Sequence, residues 1–166
     1  LQETNAPVLQ YINELMNITI SPYLSKFETR EPASAEKFVE ESPKIKLLME
    51  MIAQLKKDNP EGGRIIHAPR GIKFHELLKE YLVKNVGYKQ SEVKILSGAV
   101  KRTEEQVDDI RNGFNAGEVK IIIGGDTIQR GIDLQENTTH MFRLTLPYRP
   151  DEITQIEGRA WRHGNQ

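Results

Sequence analysis

Residues 119–134 read "VKIIIGGDTIQRGIDL". Three successive isoleucines show no polar alternation, so the segment predicts a short strand buried on both faces. Two glycines and a polar loop end it. Working outward, "EVKILS" (92–97), "RIIHA" (64–68) and "THMFRLTL" (139–146) have the same short apolar character. Between them lie amphipathic stretches with helix punctuation. "GIKFHELLKEYLVKN" covers 71–85, and "VKRTEEQVDDIRNGFNAG" covers 100–117, with Thr103 as its cap and Gly117 near its stop. "RPDEITQIEGRA" (149–160) begins a last helix at Pro150. Strands alternating with helices predict βαβ units: an α/β fold with a mostly parallel sheet and helices on both faces.

The first forty residues differ in character. "NAPVLQYINELMNI" (5–18) places Val8, Ile12, Leu15 and Met16 at helical spacing, with Asn5 as cap and Pro7 in the first turn. "TREPASAEKFVEE" (29–41) reads as a charged, proline-containing linker. "SPKIKLLMEMIAQLKKDNP" (42–60) predicts a helix capped by Ser42, with Pro43 in its first position and Ile45, Leu48, Ile52 and Leu55 on its apolar face. The expected division is therefore a helical segment and linker over 1–41, followed by a three-layer domain over 42–166.

At 166 residues the chain has room for one proper core. A formal net charge of -1 gives no global basic signature, so any nucleic-acid contact must be a local groove. The absence of cysteine removes disulfide and thiolate chemistry and fits a reducing, cytoplasmic compartment. No apolar run approaches the roughly 18 residues of a membrane span, and no signal-peptide pattern opens the chain. A start on Leu1 and a stop just after an arginine cluster read as a fragment of something longer.

In parallel sheets the working residues lie in the loops after the carboxyl ends of strands. After the third strand come Gly124, Gly125, Asp126, Thr127, Arg130, Gly131 and Asp133. Consecutive glycines allow close backbone approach and offer N–H groups to phosphate oxygens, while Asp133 could accept from ribose hydroxyls. The plainer alternative is a tight turn with solvated charges. Ser97 and Gly98 could offer a hydroxyl and an N–H to a phosphate, or be turn chemistry only. Arg70, in "HAPRG", could touch phosphate or simply face water.

Other chemistries fail on spacing. "HELLK" begins like a zinc-protease helix but has Lys79 where a second histidine belongs, and His67, His140 and His163 have no ligand partners at metal spacing. A G-x-S-x-G elbow is absent, and so is a G-x-x-x-x-G-K-[ST] phosphate loop, so this chain alone should not hydrolyse ATP by that route. Trp161 reads as an anchor of packing ahead of a stacking platform.

Taken in order, these loops resemble the second RecA-like lobe of superfamily-two helicases and translocases. "QIEGRAWR" matches the final motif Q-x-x-G-R-x-x-R at Gln155, Gly158, Arg159 and Arg162. "GGDTIQRGIDL" is similar to motif V in its D-x-x-x-R-G-x-D form. "VKILSGAVKRTEEQVDDIRNGFNAG" is similar to a Swi/Snf-type segment, as are "ITISPYL" and "SPKIKLLMEMI". The ending "RHGNQ" and the missing histidine of "SPYL" depart from typical Swi/Snf proteins and suggest a divergent, bacterial- or phage-like member.

The resemblance implies an ATP site, with magnesium held mainly by a first lobe that this chain lacks. Arg159 and Arg162 would act as arginine fingers on the β/γ-phosphates. Gln155 would arrange that motif, and Gly131 and Asp133 would face the nucleotide. Ser97, Gly98, Gly124, Gly125, Asp126, Thr127 and Arg70 would line the nucleic-acid face, with Arg130 coupling the two sites. The implied partners are that first RecA-like lobe and double-stranded DNA, with RNA as the open alternative. A scaffold lobe with structural arginines and an unrelated nucleotide-binding domain are the competing readings.

Overall fold

A computed structural model of the chain describes residues 5–128, 134 and 137–145. Four strands, β1 (Gly63–His67), β2 (Val93–Leu96), β3 (Ile121–Gly124) and β4 (Thr138–Arg143), form one sheet in the order β2-β3-β1-β4. Every pairing is parallel, with Ile65 opposite Ile122, Ile95 opposite Ile123 and His67 opposite both Gly124 and Arg143.

The isoleucine run produces the layers directly. Successive strand residues point to opposite faces. Ile121 and Ile123 join one core with Ile66, Val93 and Ile95, while Ile122 joins a second core with Ile65 and Leu96. The first core packs against α3 (Pro43–Asp58) and α4 (His75–Tyr81), and the second against α5 (Glu104–Asn115) through Ile110 and Phe114. Strand order explains why these helices take opposite sides. The step from β1 to β2 passes over β3, and the step from β2 to β3 runs back. Right-handed crossovers in opposite directions place their helices on opposite faces.

Several local signals act as their chemistry requires. Thr103 accepts from the Gln106 amide at 3.3 Å, and Gln106 Oε1 accepts from the Thr103 amide at 3.0 Å, a reciprocal cap on α5. Pro43 occupies the first turn of α3. Ser42 stands at the N-cap there but makes no capping bond, because its hydroxyl pairs instead with Ser21 Oγ at 2.7 Å, both residues being fully buried. The helix expected over 71–85 is interrupted: a tight turn at Ile72–Phe74 precedes α4, and a widened turn at Leu82–Val86 follows it. Gly87, at φ +93, closes that turn with its amide on the Leu82 carbonyl at 3.0 Å.

The N-terminal segment departs from expectation in its second half. The stretch 29–41, read as a linker, contains α2 (Ala35–Glu40), capped by the Ser34 side chain at 3.1 Å. Phe38 and Val39 from this helix are buried in the same core as the sheet, and the Phe38 and Phe74 rings lie 4.7 Å apart. Charge on one side of a short helix hid its apolar side. In α1 (Asn5–Ile20) the helically spaced apolar residues Val8 and Leu15 are 55% and 63% exposed, and Ile12 is also exposed. Asn17 and Asn13 accept from Arg70 at 2.9 and 2.8 Å, Met16 Sδ lies 3.7 Å from the same guanidinium, and among the side chains described on this helix Ile20 is the fully buried one. The predicted helix starting at Pro150 lies outside the described residues.

Candidate functional site

Because all four strands run parallel, their carboxyl ends open on one edge, and the loops read as candidates from sequence meet there. Ser97 and Gly98 follow β2, Gly125 to Ile128 follow β3, and Ala68 to Gly71 follow β1. The third strand is central between the first two, so the Gly124–Gly125 turn sits between the others.

Each candidate has a defined setting. Gly98 is exposed, with open space where a Cβ would stand. Ser97 is buried and fully engaged: its Oγ lies 2.8 Å from His75 Nδ1 and accepts from the Ala99 amide at 3.3 Å. On Gly124 a Cβ would collide with the Ile128 side chain, so this glycine is required by packing of the second core. Gly125 has only ordinary contacts, with Pro69 and Ile72 3.7 Å from a notional Cβ. Asp126 is exposed at the head of the turn Asp126–Ile128, whose backbone includes Thr127. The guanidinium of Arg70 reaches back to Asn13 and Asn17 on α1. Arg130, Gly131, Asp133, Gln155, Arg159 and Arg162 lie outside the described residues.

Two histidines behind this edge were not singled out by sequence except as failed metal ligands. His75 opens α4 and is fully buried, with Nε2 2.8 Å from the Ala68 carbonyl. A carbonyl can only accept, so Nε2 carries the proton, Nδ1 is the acceptor, and the Ser97 hydroxyl donates to it. His67 ends β1 and is 2% exposed with neither ring nitrogen hydrogen-bonded. Burial is the largest influence on both rings and holds them below the ordinary histidine value of 6.5. For His67, Asp126 opposes that shift, whereas Arg143 and His75 add to it. The only sequence signal for His75 was its place at the head of a helix after a strand, directly behind the loops.

Among the described residues no group of three His, Asp or Glu side chains could hold a metal ion. An open groove of about 460 Å³ runs along the outer edge of β2 beside α5, lined by Lys94, Arg102, Gln106, Asp109 and Glu118. Its charges are mixed in sign, and Arg102 Nε already donates to the Ile95 carbonyl at 2.9 Å, so it protects a strand edge. No helix among the described residues is long and apolar enough to cross a membrane.

Comparison with known proteins places this geometry in context. Residues 43–164 match the family model described as the helicase conserved C-terminal domain. The fold is similar to the C-terminal part of the Fun30 ATPase domain, at 19% identity, with a TM-score of 0.61 and 78% of this chain covered. It is also similar to domain 2 of the DEAD-box helicase Mss116p, solved bound to an RNA duplex, at 24% identity, TM-score 0.60 and 75% coverage. The Pyrococcus furiosus Hef helicase domain aligns at 21% identity, TM-score 0.56 and 74% coverage. The chain spans 40%, 47% and 25% of those three chains respectively. No curated protein sequence matches it.

Proposed function

The chain belongs to the helicase C-terminal domain family, and from that premise we propose that it is the second motor lobe of an ATP-dependent DNA translocase of the Swi/Snf type, from a divergent bacterial- or phage-like member. One observation carries the reading: the parallel strand ends gather the Ser97–Gly98 and Gly124–Thr127 turns on one edge. The family match, which extends through the arginine motif, supports it.

In this reading the lobe has two jobs. Gly98, Gly125 and Asp126 present backbone to a nucleic-acid strand, where glycines permit the closest approach. Ser97 shapes that turn, since its proton is committed to His75. Arg70 contributes only if it leaves its asparagine partners. Arg159 and Arg162 supply planar, permanently charged guanidiniums to a nucleotide held between two lobes, with Gln155 arranging them and Gly131 and Asp133 facing the sugar. Arg130 links the two faces. Magnesium would be held mainly by the first lobe and would neutralise phosphate charge there, so this chain alone is expected to be inactive.

Double-stranded DNA is the proposed track. Because the Mss116p domain was solved on an RNA duplex, duplex RNA is the second candidate. The deciding experiment measures ATPase activity of the polypeptide carrying both lobes, alone, with double-stranded DNA and with duplex RNA, in wild type and Arg159→Ala. An arginine finger contributes on the order of a thousandfold in turnover. DNA stimulation that collapses in the variant upholds the reading. Turnover indifferent to both means that the lobe is a scaffold.

A further inference from the structure

We propose that His75 is the positioning residue of the strand-gripping edge, a single buried imidazole that sets the spacing of its three loops. The proposal deepens the reading above and rests on it for the loops' ligand, but the bridge itself stands on geometry. Ala68 and Ser97 follow strands that are not neighbours, because β3 lies between β1 and β2. Two inter-strand steps separate them by about 9–10 Å of sheet width. From the head of α4, His75 spans that gap, with Nε2 on the Ala68 carbonyl and Nδ1 on the Ser97 hydroxyl, each at 2.8 Å.

The bonds continue on both sides. The Ala68 amide donates to the Gly124 carbonyl at 2.8 Å, and the Ala99 amide donates to Ser97 Oγ at 3.3 Å. One chain of hydrogen bonds therefore runs Gly124–Ala68–His75–Ser97–Ala99, touching the ends of β3, β1 and β2 in turn. Its polarity is fixed throughout: every donor has one acceptor, and the ring tautomer is set by the carbonyl. The imidazole does this with one donor and one acceptor nitrogen held in a rigid ring. Asparagine and glutamine can each mimic one ring nitrogen in position, and an aliphatic replacement mimics neither. His75 is fully buried, so its role is to hold Gly98 and Gly125 at a fixed separation and not to touch a ligand.

The test uses the chain as it stands, with ring nitrogen and amide NMR alongside binding of a short DNA duplex, for wild type, His75→Leu and Ser97→Ala. The serine variant cuts the same bridge with little change of volume and keeps the test open if the histidine variant fails to fold. The expected result is an Nε2-protonated ring in wild type, faster exchange of the Ala99 amide in His75→Leu, a shifted His75 Nδ1 resonance in Ser97→Ala, and in both variants a duplex affinity lower by roughly tenfold, the scale of one or two lost hydrogen bonds. A ring protonated on Nδ1, or a folded Ser97→Ala variant whose His75 Nδ1 resonance does not move, overturns the bridge. A shifted Nδ1 resonance with unchanged duplex affinity upholds the bridge and overturns the assignment of these loops to nucleic acid.

Discussion

The guanidinium of Arg64, fully buried in β1, donates to the Leu55 carbonyl in the last turn of α3 at 2.7 Å. It also bonds the Gly62 carbonyl at 2.5 Å and that of Asn59. No acid stands opposite it among these partners. The cation instead meets the negative end of a helix, sharing the Leu55 carbonyl with the Asn59 amide, which donates to it at 2.8 Å. Arg64→Ala removes this cap and leaves a cavity, and should cost about 3 kcal/mol in urea denaturation. Arg64→Lys should recover only part of that, because an ammonium lacks the planar fork. A lysine variant as stable as wild type would contradict the cap.

Gly124 and Ile128 should be coupled. A methyl on Gly124 meets the Ile128 side chain and approaches the Leu96 carbonyl to 3.1 Å. Gly124→Ala should therefore destabilise by about 1–3 kcal/mol through overpacking. Adding Ile128→Val should relieve part of the clash, giving a double-mutant interaction of at least about 0.5 kcal/mol. Additive effects would mean that the two side chains do not compete for space.

Stability should fall on acidification from near-neutral pH. His67 and His75 both have folded values depressed below 6.5, mainly by burial. Below that value the unfolded chain takes up protons that the folded rings refuse, so stability rises with pH through this window. The contribution is complete above 6.5 and is lost as pH falls toward the depressed folded values. Chemical denaturation between pH 7.5 and 5.5 checks it. Substituting His67 by phenylalanine, which removes an unpartnered buried polar group, should flatten the slope.

On α1, substitutions should behave against the expectation from hydrophobicity. Leu15 is 63% exposed whereas Ile20 is 3% exposed. Leu15→Gln should stay within about 0.5 kcal/mol of wild type, and Ile20→Ala should cost about 2–4 kcal/mol. Thermal melts of the two variants decide. A large loss at Leu15 would place its side chain in a core.

How much was legible in advance differs from element to element. The isoleucine run of β3 and the cap at Thr103 could be read directly, because both depend on neighbours within four residues. The α2 helix was missed because Phe38 and Val39 are an apolar pair inside a charged stretch, too short for a period to emerge. The α1 helix was recognised, but the face by which it docks was not read. Periodicity shows that one side is apolar, not that anything covers it, and Arg70, distant in sequence, holds the other side through Asn13 and Asn17.

The sequence by itself determined the alternation of short apolar strands with amphipathic helices, which follows from local periodicity, and its motifs carried the resemblance to helicase second lobes. Only the tertiary structure decided which loops adjoin, that Gly124 serves packing, and that His75 joins Ala68 to Ser97. Those relationships depend on the order β2-β3-β1-β4. Strand order is set by crossovers and by the burial of whole faces, and no local run of residues encodes it.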